Sequence, residues 1–365
     1  MPNQPQNYIN GEWRSAASGQ TFQTTNPARP RDTIGTVPSS DPPDVDAVVD
    51  AATTALDAWD RYPAPQRGRI LRTAGDLLAE RKPDIARAMT REMDKPVFET
   101  KGDVQEATGT ALVKHPGIDA VGFTGSYEVG ISIAETCGRR DKRVSLEMGG
   151  KNPMIVLGDA DLDLALEGAI WGACGATGQR CTATSRLICH EGVHNALVSR
   201  IETEAGALCL GDGTEDGTDI GPLINAAARR RVQEYVDLGV DEGALLQFGG
   251  QAAAPDGLDG YFFEPTLFTD VSTDMRIAQD GIFGPVLLVF KVASYDESVT
   301  VASDTRFGLS SAIYTTDANI SQRALRDLVQ LQLVRCAIEL WTDLVRPYLK
   351  LELGAIANCF PQKIV

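Results

Sequence analysis

The chain has 365 residues with 34 Lys and Arg against 50 Asp and Glu, a net charge of −16, and 43% hydrophobic residues. That length predicts two domains with sizeable cores rather than one. The acidic balance and the lack of a basic patch exclude nucleic acid as a partner, and no apolar run reaches the roughly 18 residues of a membrane span.

In chain order, the N-terminus MPNQPQNYINGEW has neither a basic start nor an apolar core, so it reads as no secretory signal and predicts a cytoplasmic protein. Residues 8–13 predict a short strand with a turn at Asn10-Gly11. Asp44 to Trp59 carries apolar residues at helical spacing: Val45, Val48, Val49, Ala52 and Leu56. Gln66–Ala79 and Pro83–Met93 predict two further helices, the second opening on its proline. A helix over Val97–Ala107 runs into Thr108-Gly109-Thr110 without a stop signal.

From Ile118 the alternation resumes. Asp119–Phe123 predicts a short buried strand, Tyr127–Cys137 a helix, and Val144–Met148 and Met154–Leu157 strands flanking Gly149-Gly150. Asp161 is placed to cap a helix running to about Ala173, and Val193–Leu208 predicts another. Residues 225–239, 262–268, 286–292, 295–303 and 309–315 continue the alternation of helix and strand, which makes this an α/β protein. Residues 331–365 differ from the rest, with net +1 against −17 before them; Leu331–Leu349 reads as an apolar helix.

Cysteine and histidine usage argues against staples. Seven Cys, an odd number, at 137, 174, 181, 189, 209, 336 and 359, form no CxxC pair and no disulfide framework. His115, His190 and His194 make no metal spacing, so no metal site is expected. The acidic surface, with 25 Arg to 9 Lys, fits a protein that must stay soluble in high salt, a halophilic trait.

Three short strings carry chemistry. Phe123-Thr124-Gly125-Ser126 ends a strand and opens a helix, where backbone N–H groups favour a phosphate. Leu146-Glu147-Met148-Gly149-Gly150-Lys151-Asn152-Pro153 sets a carboxylate beside a Gly-Gly turn. Gly178-Gln179-Arg180-Cys181-Thr182 sets a cysteine after a glycine and beside a base. Each alone has an ordinary reading: an unoccupied helix start, a solvated glutamate, a small buried thiol.

As an ordered set, with Glu147 and Cys181 34 residues apart, they resemble the signatures of the aldehyde dehydrogenase superfamily. The resemblance extends to Tyr8–Trp13, Asn26-Pro27, Gly221-Pro222-Leu223, Phe263-Glu264-Pro265-Thr266 and Ile282-Phe283-Gly284-Pro285, across most of residues 6–330. It implies a Rossmann-type cofactor domain, here residues 1–146, and an α/β catalytic domain, 147–330, followed by an atypical tail, 331–365. It further implies NAD or NADP as cofactor and a small aldehyde as substrate. Cys181 is then the nucleophile, its own N–H an oxyanion donor, and Glu147 the base that activates water. Gly125 and Ser126 contact the pyrophosphate, and Phe283 lies near the nicotinamide. The strings FTGSYEVG and GQRCTATSRLI are similar to those of 2-oxoglutarate-semialdehyde-type dehydrogenases.

The chain also departs from the family pattern. The strings P-W-N and K-P-x-E, which supply an oxyanion donor and an adenosine-ribose ligand, do not occur. At roughly 30 residues per βαβ unit, about a hundred residues are missing near Ala107/Thr108, so the cofactor domain is expected to be internally truncated. Gly281 stands where a Glu normally precedes I-F-G-P, and the usual P-F-G-G segment and closing strand are not found after residue 330. These departures predict impaired cofactor binding and loss of the usual homo-oligomer. They leave two alternatives to the dehydrogenase: an inactive remnant, or a cofactor-independent thiol esterase.

Overall fold

The computed structural model describes residues 6–94, 113 and 115–328, and the backbone of a strand at 332–337. The helix expected over Val97–Ala107 and the segment 338–365 lie outside the described residues. The chain forms two compact units, residues 1–93 with 103–148 and residues 94–102 with 149–365.

The first unit opens with a hairpin of β1 (Asn7–Ile9) and β2 (Glu12–Arg14). Its turn needs positive φ at Asn10 (51°) and Gly11 (83°), the pair best able to adopt it. A second antiparallel pair, β3 (Thr21–Asn26) and β4 (Arg29–Pro38), follows. Asn26 Oδ1 accepts from the Ala28 N–H at 2.8 Å to close its turn.

Helix α1 (Pro42–Arg61) starts where Asp44 accepts from the backbone N–H of Asp41 and of Ala17. Helix α2 is continuous from Ala64 to Met93 and corrects the expected pair of helices. Pro83 removes one hydrogen bond, but Glu80, Arg81 and Lys82 before it are good helix formers, and the segment is exposed. Strands β5 (Ala120–Gly125) and β6 (Arg143–Met148) pair in parallel around helix α3 (Tyr127–Gly138). The expectation that the first of these strands is buried is corrected: most of its residues are exposed. Val121 and Phe123 instead pack on a small core of Val113, Ile133 and Cys137.

The second unit is built on a seven-stranded sheet. Its strands are β7 (Asn152–Val156), β8 (Thr184–His190), β9 (Leu245–Phe248), β10 (Thr266–Thr269), β11 (Val286–Val292), β12 (Ser310–Tyr314) and β13 (Gln332–Ala337). They lie in the order β13-β12-β7-β8-β11-β10-β9, parallel except for β9. Buried on both faces, Pro153–Val156 of β7 and most of β11 read as unbroken apolar runs rather than alternating ones.

Helices α4 (Leu162–Cys174) and α5 (Glu191–Ala207) cover one face, where Met154, Val156, Leu197 and Val289 pack. Residues of α6 (Ala226–Asp241), α7 (Arg276–Gln279), α8 (Tyr295–Ser303) and α9 (Ala318–Asp327) join Ile155, Ile188, Leu288 and Phe268 in the other core. Asp161 caps α4, accepting from Asp163 N–H at 2.8 Å and Leu164 N–H at 3.2 Å.

Residues 332–337 correct the helix expected from Leu331. They run parallel to β12 at the sheet edge. A short aliphatic run suits either element, and the open backbone of β12 supplies partners that an isolated helix lacks. No helix among the described residues is long and apolar enough to cross a membrane.

Candidate functional site

The loop that presents Cys181 departs from regular backbone as soon as α4 ends. A 3-10 turn, Gly175–Gly178, contains three successive residues with positive φ: Ala176 (48°), Thr177 (56°) and Gly178 (68°). For non-glycine residues this region costs roughly 1–2 kcal/mol each, so the surroundings must hold it. Thr177 Oγ1 donates to the Gly221 carbonyl at 2.9 Å. Gln179 Oε1 accepts from the Ile224 N–H at 2.9 Å, and its Nε2 donates to the Pro222 carbonyl at 3.3 Å. The Gly221-Pro222-Leu223 string thereby acquires a role: it anchors the strained turn.

Cys181 is exposed at the end of this turn. Its carbonyl accepts from Asn152 Nδ2 at 2.8 Å, and the same amide donates to the Ala183 carbonyl at 2.9 Å. Asn152 Oδ1 accepts in turn from the Ser310 N–H at 3.1 Å, so one buried side chain ties the nucleophile loop to β7 and β12. The guanidinium of Arg180 lies 3.7 Å from the Trp171 ring centroid and donates to the Trp171 carbonyl at 2.7 Å. The other described thiols divide clearly. Burial pushes the Cys174 thiol up to about 12, against an opposing effect of Arg180, and pushes Cys189 up to about 12 as well. Cys137 is buried and Cys209 exposed.

The Phe283 loop meets the Cys181 loop directly. A Cβ at Gly178 would fall 2.1 Å from the Gly284 carbonyl oxygen, so only glycine allows this approach. Phe283 itself has φ 60° and is 46% exposed, a strained aromatic turned to solvent rather than into a core.

The loop's other end is held by Lys151, 2% exposed, whose Nζ donates to the Asp280 carbonyl at 2.8 Å. Burial lowers the Lys151 amine to about 7; the Arg186 charge adds to that and the Asp280 charge opposes it. Arg186, wholly buried, donates to the carbonyls of Lys151 (3.0 Å), Val301 (3.1 Å), Ala302 (2.7 Å) and Asp304 (3.2 Å). It caps α8 and fixes the start of β7 with one side chain.

The remaining sequence candidates lie in the first unit. Glu147 is exposed on β6 and pairs in register with Thr124. Gly125 and Ser126 are exposed where β5 gives way to α3, and Ser126 Oγ caps that helix by accepting from the Val129 N–H at 3.3 Å. Among the described residues, no cluster of three or more His, Cys, Asp or Glu side chains could hold a metal. Lys151 and Asn152 stand in the string around Glu147 with no role assigned to them there; both are buried, as such groups are only when they have partners.

The model of the aldehyde dehydrogenase family matches residues 13–111 and 105–334. An alpha-ketoglutarate semialdehyde dehydrogenase of Haloferax volcanii is 31% identical over 427 positions, covering 88% of each chain. A glutarate-semialdehyde dehydrogenase of Pseudomonas putida is 30% identical, covering 86% of this chain and 85% of its own. An NAD-dependent aldehyde dehydrogenase structure from Sinorhizobium meliloti superposes with a TM-score of 0.85 at 27% identity, covering 90% of this chain and 86% of that one. With an exposed cysteine on a strained, fully anchored loop and a matching family model over most of its length, this chain belongs to the aldehyde dehydrogenase family.

Proposed function

We propose that the chain oxidises a small aldehyde of the semialdehyde class to its carboxylic acid with NAD or NADP, through a thioester on Cys181. The observation that carries this reading is the Cys181 loop, strained at the two positive-φ residues Ala176 and Thr177 yet anchored by Thr177, Gln179 and Asn152. The names of the relatives, semialdehyde dehydrogenases of Haloferax volcanii, Bacillus subtilis and Pseudomonas putida, support the substrate class.

In this mechanism the Cys181 thiolate attacks the aldehyde carbon, and the Cys181 N–H donates to the oxygen that becomes negative. A bound NAD or NADP would supply the acceptor for the hydride that leaves this carbon. Glu147 takes a proton from water as that water attacks the thioester, and Cys181 departs as the thiolate while the carboxylic acid forms. Each unit carries an exposed candidate for cofactor contact: in the first, the start of the 12-residue helix α3 at Gly125-Ser126 suits a phosphate, and in the second, Phe283 suits an aromatic ring face.

The same reading includes an internal truncation with weakened cofactor binding. The alignment with the Haloferax relative runs over 427 positions, 62 more than this chain has. The two family matches meet at residues 105–111, beside the expected junction. A second reading, a cofactor-independent thiol esterase, is favoured by one observation: every bond named above that holds the Cys181 loop comes from the second unit. The relative from Haloferax volcanii is in keeping with the halophilic reading of the acidic surface.

Brief alkylation at neutral pH, mapped by mass spectrometry, tests the nucleophile first. Cys181 should label fastest, Cys209 more slowly, and Cys174 and Cys189 last, since buried thiols near 12 carry almost no thiolate. Labelling of Cys209 ahead of Cys181 would sink the assignment. Turnover of semialdehydes with and without NAD+, and of an activated ester, then separates dehydrogenase, esterase and inactive remnant.

A further inference from the structure

Lys151 takes no part in the steps above, yet it is one of the few lysines of the chain and is wholly buried. Desolvating an amine is costly, and methionine would fill similar space without that cost. The amine is therefore kept for what it holds. Its partner is a backbone carbonyl, Asp280 O, at 2.8 Å. Beyond Asp280 the loop has little else at its start: a Cβ at Gly281 would meet nothing within 4 Å. Two residues on, Phe283 sits in the left-handed region, and Gly284 abuts Gly178 of the nucleophile loop.

We propose that Lys151 is a positioning residue whose amine tethers the Asp280 carbonyl and thereby sets the Phe283 loop against the Cys181 loop. Its neighbour Asn152 holds the Cys181 carbonyl, and its own carbonyl is held by Arg186. One stretch of β7 and its approach thus fixes both loops, with Gly178 and Gly284 as the point where they touch. The proposal rests on the reading that Cys181 and Phe283 serve one reaction, and its test does not depend on turnover.

The charged groups facing the Lys151 amine are Arg186 from β8, whose charge disfavours protonation, and the Asp280 carboxylate from the loop after α7, which favours it. The Asp280 carboxylate is itself paired with Arg276 at 3.2 Å and Arg306 at 3.6 Å and accepts from Tyr235 at 3.3 Å. A protonated amine makes the stronger, charge-assisted bond to a carbonyl. The tether should therefore weaken as pH rises through about 7.

Hydrogen exchange of the peptide spanning 280–285 reads this directly in the full chain. Wild type, Lys151→Met and Lys151→Arg are compared across about pH 5.5 to 9, with rates corrected for the intrinsic pH dependence. Lys151→Met should exchange roughly tenfold faster at low pH, the loss expected for one bond to a charged donor. Wild type should lose protection as pH rises through about 7, while Lys151→Arg stays protected without that step. Cys181 alkylation should change little in Lys151→Met, because Asn152 still holds its loop. Equal protection of 280–285 in wild type and Lys151→Met, with no pH step in wild type, overturns the tether. Should Lys151→Met fail to fold, the wild-type series decides alone, since a flat profile overturns the proposal as well. Slow alkylation of Cys181 in wild type would instead sink the reading of the reaction, an outcome visible apart from the tether.

Discussion

At Gly281 a missing side chain is one of the departures of this chain from its family pattern. The resemblance places a glutamate at this position, where it would hold the ribose next to the nicotinamide, and the chain carries glycine. The backbone does not need the glycine: Gly281 is not among the positive-φ residues, and a Cβ there meets nothing within 4 Å. Gly281→Glu should therefore fold without loss of stability and bind NAD+ more tightly, by about 1–2 kcal/mol if the new carboxylate accepts a ribose hydroxyl well. Calorimetric titration of both forms checks this; unchanged affinity would show that the adenosine side, not this residue, limits binding. Lys151 shows the reverse relation between residue and place. Its burial was not legible from sequence, because a lysine after a Gly-Gly turn ordinarily points to solvent, and only the fold brings Arg186 and Asp280 to it.

Among the elements, the turn Gly175–Gly178 concentrates the most strain and so gives the sharpest test. Gly178→Ala would force a Cβ to 2.1 Å from the Gly284 oxygen while keeping φ near 68°. The left-handed backbone alone costs about 1–2 kcal/mol, and a clash with backbone cannot be relieved by a rotamer change. Urea unfolding should show at least that loss, with altered Cys181 alkylation because the two loops must separate. A variant as stable as wild type would mean that the contact between the loops is not tight.

Helices α3 to α6 and strands β7, β11 and β12 fall within a few residues of expectation, because buried parallel strands and capped amphipathic helices carry strong local patterns, whereas β8 was not anticipated. The break expected between Ala79 and Pro83 does not occur, since one proline in an exposed helix costs a bond without ending it. The mostly apolar segment Gln332–Ala337 has no period that favours helix or strand, and its partner β12 is a feature of the fold alone. Of the site, the thiol and Phe283 were legible as motif residues, whereas Asn152, Gln179 and Thr177 act through backbone carbonyls that no sequence spacing displays.

For the whole molecule, the two units differ in how much apolar surface they remove from water. The second packs a seven-stranded sheet between two extensive cores. In the first, β5 and β6 form a sheet of only two described strands over a core of Val113, Ile133 and Cys137. A parallel pair alone is not a stable unit, and its edges offer unpaired backbone. Helices α1 and α2 add exposed Leu56 (60%), Ile70 (50%), Leu71 (67%) and Leu78 (50%). Scattered apolar side chains are ordinary, but along one helix pair they invite association. The expected behaviour is therefore stepwise melting, with amides of β5, β6 and α2 exchanging well before those of β7, β8 and β11. Mass should be heterogeneous and rise with concentration, rather than settle at one closed assembly. Light scattering coupled to gel filtration in high salt, where the charge of −16 is screened, measures that mass, and calorimetry counts the transitions. A single sharp dimer or tetramer melting in one cooperative step would mean that the first unit completes its core in solution, and the proposed truncation would then carry no cost in stability.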